Sequence, residues 1–168
     1  MEQKHSQWYI GAPNGVVLCV NERHGCEFGG HFYHSYKTEP TDFMDLGQMT
    51  LLMEKFFDDL QFPHPGTNER NFISQSKPYI PHQERTKIMS DEQLLQKHGD
   101  IGTFIVRVQH RQNSSWQGRV TWMEQDRTIQ FRSVWEMIKL IESAVDMVSE
   151  QENRPEELWF AEEGKAGM

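Results

Sequence analysis

A stretch of 45 residues occurs twice in this chain without a gap, 88 positions apart. Laying residues 16–60 on 104–148 matches Val20 with Val108, Arg23 with Arg111, Gly30 with Gly118 and Phe43 with Phe131. In the segment that follows it matches Met49 with Met137, Leu52 with Leu140, Glu54 with Glu142 and Asp58 with Asp146. Similar pairs lie between them, such as Val17 with Ile105 and Phe28 with Trp116. Eight identities carry little weight singly. The constant offset and the shared order of apolar patterns point to a duplicated supersecondary unit, which must bury its apolar face against its own copy.

Each copy reads as three strands followed by a helix. In the second, Phe104, Val106 and Val108 alternate with Ile105, Arg107, Gln109 and Arg111. Trp116, Gly118, Val120 and Trp122 alternate with Gln117, Arg119 and Thr121; Ile129 and Phe131 alternate with Thr128, Gln130 and Arg132. Such period-two alternation signals strands with one buried and one wet face. Ser133 is placed to cap a helix, with Glu136 completing a capping box. Val134, Met137, Ile138, Ile141, Val145 and Val148 then recur at helical spacing. The first copy follows the same plan. Val16, Leu18, Val20, Phe28, Phe32, His34 and Phe43 point inward, Asp45 is the cap, and Leu46, Met49, Leu52, Met53, Phe56 and Leu60 face the sheet. Prolines at 63 and 65 stop that helix.

One such unit leaves its first strand as an open edge. Two units remove both edges by joining them. The predicted fold is therefore α+β: tandem pseudo-symmetric βββα repeats forming a mostly antiparallel sheet, with the helices packed on one face. The chain divides into a first repeat with an N-terminal extension (1–60), a proline-containing crossover with a short helix (61–102), a second repeat (103–150) and an acidic tail (151–168), folding as one compact domain. In the crossover, Phe62, Phe72, Tyr79 and Ile80 are candidate anchors, Ser90 opens the short helix by a capping box with Gln93, and Gly99 closes it.

The net charge of −8 is unevenly spread. Residues 16–61 carry −5 and 149–168 carry −4, while 103–148 carry +1, with arginine as five of the six cations there. An acidic chain argues against non-specific nucleic-acid binding but leaves room for one local basic face. Two cysteines, Cys19 and Cys26, are too few for a disulfide scaffold. The polar first residues and the absence of a long apolar run predict a soluble, cytoplasmic protein without a membrane segment.

The sharpest candidate surface is the wet face of the second repeat, with Arg107, Gln109, Arg111, Gln117, Arg119, Gln130 and Arg132. Arginine and glutamine form bidentate contacts with carboxylates, phosphates and base edges. The plain reading is a solvated sheet face. The first repeat offers Cys19, Asn21, His31, Tyr33 and Asp42 at the corresponding places, so nucleic acid ranks below a protein partner. Leu158, Trp159 and Phe160 form a bulky apolar cluster in the acidic tail, costly to leave in water, and make a second candidate docking element. No catalytic residues, metal ligands or cofactor motifs are assigned. Eight histidines show no HxxxH or HExxH spacing, and Cys19 beside His31 reads as a buried thiol before it reads as a nucleophile. The expectation is a non-catalytic binding or assembly protein, monomeric or homodimeric, that contacts a protein partner. A regulatory nucleic-acid binder is the alternative, and a small-ligand sensor in the crease between the repeats is a third.

The run Ser115-Trp116-Gln117-Gly118-Arg119-Val120-Thr121-Trp122, followed by Phe131-Arg132-Ser133 and Glu136-Met137-Ile138-Lys139-Leu140-Ile141, resembles small uncharacterised proteins of gut clostridia. Those carry a Trp-Gln-Gly…Trp pattern and then Phe-Arg-Ser before an amphipathic helix. The resemblance implies bacterial origin and a recurring module, and no activity. Three strands and a helix also resemble, in architecture alone, the arm-binding domain of some integrases and the plant ethylene-response type of DNA-binding domain.

Overall fold

The computed structural model describes residues 10–66, 70–73 and 85–152. Strands β1 (Val16–His24), β2 (Glu27–Tyr33) and β3 (Thr41–Phe43) are followed by helix α1 (Leu46–Leu60) and a short helix α2 (Asp91–Leu95). Strands β4 (Gly102–His110), β5 (Gln117–Trp122) and β6 (Arg127–Phe131) then lead into helix α3 (Val134–Glu152). The six strands form one antiparallel sheet in the order β3-β2-β1-β4-β5-β6. The protein is thus α+β, with the first strands of the two halves joined at the centre of the sheet.

The registers explain which residues the sheet demands. Val20 pairs with Gly30 and Gly30 with Phe43; Val108 pairs with Gly118 and Gly118 with Phe131. A Cβ on Gly30 would be driven into the carbonyl oxygen of Cys19, and one on Gly118 into that of Arg107. Only glycine fits at either place, and the ring of Phe43 or Phe131 sits across from it. Each half also has an irregularity in its first hairpin, between Val20 and Glu22 and between Val108 and His110.

Helices α1 and α3 bury one face of the sheet. Met49, Met53, Phe56, Phe57 and Leu60 from α1 join Met137, Ile141, Ala144 and Val145 from α3 over Val16, Leu18, Val20, Phe28, Phe104, Val106, Val108 and Phe131. Asp45 caps α1 by accepting from the Gln48 N–H at 2.7 Å, and Ser133 accepts from the Glu136 N–H at 3.1 Å. Glu136 does not close a box onto Ser133; its carboxylate is taken by Arg132 at 3.1 Å. After α1 the chain turns through Gln61 in a left-handed conformation, φ 54°.

The centre of the sheet is buried on its other face as well, which strict alternation did not predict. Val16 to Val20 and Gly102 to Val106 are buried throughout. Ile10, Met89 and Leu94 cover Val17, Cys19 and Ile105 there, with Met123 completing the cluster. The crossover is therefore a second layer at this point. Ser90 and Gln93 form the expected capping box, but α2 ends at Leu95. Gly99 instead lets the chain lie against the β1 backbone, where a Cβ would strike Val20. Phe62 packs on the core, whereas Phe72 is fully exposed; Tyr79 and Ile80 lie outside the described residues.

His34 ends up on the helix face, its ring stacked on Phe56 at 4.0 Å and 12°. Burial, then Lys37 and Arg85, push its pKa down to about 4. Below the ordinary histidine range the unfolded chain takes up a proton that the folded one refuses. This site's contribution is complete above about pH 6.5 and is lost as pH falls toward 4. His34→Gln is expected to flatten the fall in melting temperature between pH 7 and pH 4 relative to wild type. Parallel curves would show that the ring is hydrated.

Candidate functional site

The outer face of β4, β5 and β6 gathers some of the predicted residues and loses others. Arg107, Arg119 and Gln130 form one row, because Arg107 pairs with Arg119 in register and Arg119 with Gln130. Gln109, Arg119 and Gln130 are exposed, and Arg107 is half-buried. Its Nη2 donates to Thr121 Oγ1 at 2.9 Å, and that hydroxyl meets Thr128 Oγ1 at 2.8 Å. Like charges set directly opposite on a sheet face repel. The turn of Arg107 toward Thr121 leaves Arg119 projecting with its charge uncompensated by any ion pair among the described residues.

Arg111 does not belong to this face. The irregularity between Val108 and His110 inserts a residue and turns the next arginine toward the helices. Its side chain is 3% exposed and donates to Glu54 Oε1 at 3.0 Å, Asp58 Oδ1 at 2.7 Å and the Pro63 carbonyl at 2.7 Å. Trp116 Nε1 donates to the other oxygen of Glu54 at 2.6 Å. This cluster ties the end of β4 to α1 and is structural. Gln117 is likewise engaged: its amide exchanges hydrogen bonds with the Gln112 backbone at 2.9 and 3.0 Å and reaches the Arg132 carbonyl at 3.3 Å. Arg132 sits at the β6–α3 junction, paired with Glu136. Leu158, Trp159 and Phe160 lie outside the described residues.

The corresponding face of the first half is partly covered, with Asn21, His31 and Tyr33 half-buried and Asp42 exposed. Leu94 and Leu95 lie against it, and Lys97 Nζ stands 4.8 Å over the Tyr33 ring. Cys19 is buried there, its thiol pushed up to about 12, mainly by burial and next by Glu124. A thiol held protonated at neutral pH is no nucleophile. His31 pairs across the sheet with Cys19, but its Nδ1 is engaged by the Asn21 side-chain amide at 2.9 Å. Among the described residues, no three His, Cys, Asp or Glu side chains converge as a metal site would require. Nor is any described helix long and apolar enough to cross a membrane.

A second feature of the C-terminal half escaped sequence reasoning. Between β5–β6 and α3 runs an open apolar groove of about 70 Å³, lined by Phe104, Trp122, Ile129, Ala144 and Met147, with Arg127 as its one charged wall. A signal for it existed in the internal match: Val120 stands where the first copy has Phe32, and Ala144 where it has Phe56.

No family model matches the chain, and neither the curated proteins nor the solved structures searched contain a match.

Proposed function

We propose that this is a non-catalytic binding or assembly protein, a fused pair of βββα units in which the first unit supports and the second binds a protein partner. The duplication is supported by equivalences at the 88-residue offset. The glycines of the two hairpins meet the same obstruction, and the irregularities fall at matching places. In the central pair, Val16 lies opposite Val106 and Leu18 opposite Phe104, a register symmetric about Val17 and Ile105. Arg23 forms an ion pair with Asp146 of α3, and Arg111 forms one with Asp58 of α1, so each half grips the helix of the other.

The observation that carries the function is the asymmetry laid over this pairing. On the outer face the crossover covers Val17, Cys19 and Tyr33 of the first unit, while Gln109, Arg119 and Gln130 of the second are exposed. On the helix face, side chains fill the first unit and leave a groove in the second. Two of the four arginines behind a nucleic-acid reading are engaged by Glu54, Asp58 and Glu136, which favours a protein partner.

Arg119→Glu with Gln130→Glu should leave the melting temperature nearly unchanged, since exposed substitutions cost within about 0.5 kcal/mol each. Recovery of the partner from a lysate of the source cells should fall at least tenfold, with nuclease treatment having no effect on wild-type recovery. Nuclease-sensitive recovery would transfer this face to nucleic acid. Unchanged recovery by the double variant would remove the face from the binding surface.

A further inference from the structure

In the first half, the space between the outer strands and the helix is filled by rings. Phe32 is buried, His34 stacks on Phe56, and Tyr36 leans on both His34 and Phe56. At the same offset the second half has Val120, Trp122 and Ala144. Phe-to-Val and Phe-to-Ala differences remove ring volume from one region, and the groove is what remains. Trp122 lies stacked over Phe104 at 6.5 Å as part of its wall, and Ile129 and Met147 are 42% and 45% exposed. Apolar side chains held open in this way are characteristic of docking sites. The strand beside the groove, β6, is also an edge of the sheet, so its outer backbone groups are available to an added strand.

Resting on the proposed reading of the second half as the binding half, we infer that this groove takes one aromatic side chain of an acidic peptide segment. The segment lies along β6 and sets its carboxylates against Arg127. Three features select this occupant. The missing volume is that of a ring, because phenylalanine fills its counterpart. The walls are apolar except for Arg127 and Ser143, and none carries a carboxylate. The exposed Arg119 lies on the adjacent strand, so the outer strands present positive charge to an extended acidic chain. Alternate residues of such a chain face opposite sides of the sheet, one toward the groove and the next toward Arg119.

This sequence itself contains a segment of that chemistry, Glu156-Glu157-Leu158-Trp159-Phe160-Ala161-Glu162-Glu163, which supplies the probe. The labelled octapeptide is titrated by fluorescence anisotropy into the full-length protein and into full-length Trp159→Ala/Phe160→Ala, in which the resident copy cannot compete. Binding to both receptors supports a site for a segment in trans. Binding to the double variant alone supports the site with the chain's own tail as occupant. Binding to neither overturns the inference. Ala144→Phe, which restores the filling of the first half, should keep or raise the melting temperature and weaken the peptide at least tenfold. Arg127→Glu should weaken it about fivefold at low salt and much less at high salt, where charge is screened. Retention within twofold in either folded variant overturns the inference, as does equal binding of a peptide with alanine for Leu, Trp and Phe. If the peptide fails while partner recovery still depends on Arg119 and Gln130, the groove assignment falls and the wider reading stands.

Discussion

Phe131→Ala is expected to destabilise the protein by about 3–5 kcal/mol, the usual cost of deleting a buried ring from a core that cannot collapse around the gap. The ring is fully buried between the sheet and α3 and lies across from Gly118, where no side chain can take its place. Phe43→Ala, at the matching position opposite Gly30, is expected to cost a similar amount. Urea unfolding monitored by circular dichroism checks both. A loss below about 1 kcal/mol at position 131 would mean that the ring faces water. A large loss at 131 with a negligible one at 43 would break the equivalence of the two halves.

The second large effect concerns Arg111. Arg111→Met keeps much of the side-chain volume but removes the donors shared by Glu54, Asp58 and the Pro63 carbonyl. Stripping one member from a buried ion cluster costs about 3–5 kcal/mol. Here Glu54 and Asp58 remain 24% and 38% exposed, so water recovers part of that. About 2–4 kcal/mol is expected after this discount. Arg23→Met should cost under about 1 kcal/mol, because its pair with Asp146 is half-exposed. The same comparison fixes the outcome of replacing Arg107, Arg111 and Arg119 together by glutamine. The triple variant should lose stability through Arg111, while the Arg107/Arg119 double variant should stay close to wild type.

The fold was legible where local chemistry repeats. Offset, alternation and the two caps predict three strands and a helix in each half, and the open first edges predict their union at β1 and β4. The apolar run Val16 to Val20 also carried a clue that alternation concealed. A strand covered on both faces reads as continuously apolar, and Cys19 belonged to that run. Arg111 was misplaced because a bulge leaves no trace in the pattern of side chains; it adds one residue and reverses every face beyond it. The internal match nevertheless held the correction. Arg23 and Arg111 recur with Asp58 and Asp146, which are the charges of the interlocking ion pairs, and Glu54 joins Arg111. The groove was illegible for a different reason. It is made by what is missing at Val120 and Ala144, and small apolar residues at core positions look like ordinary packing until the counterpart rings are laid beside them.

The joint between β1 and β4 also governs how the chain assembles. Val17 meets Ile105 across 88 residues of chain, so the centre of the sheet closes a far longer loop than either set of hairpins, which hold mostly local contacts. Loop closure of that length is slow relative to hairpin formation, which makes β1 and β4 unpaired edges for an interval during folding. The same edges fit one another between two molecules as well as within one. Tethering keeps the closure internal until the protein concentration approaches the effective concentration of the tether, on the order of mM. Above it, the register that closes the sheet within one chain is expected to close it between two chains.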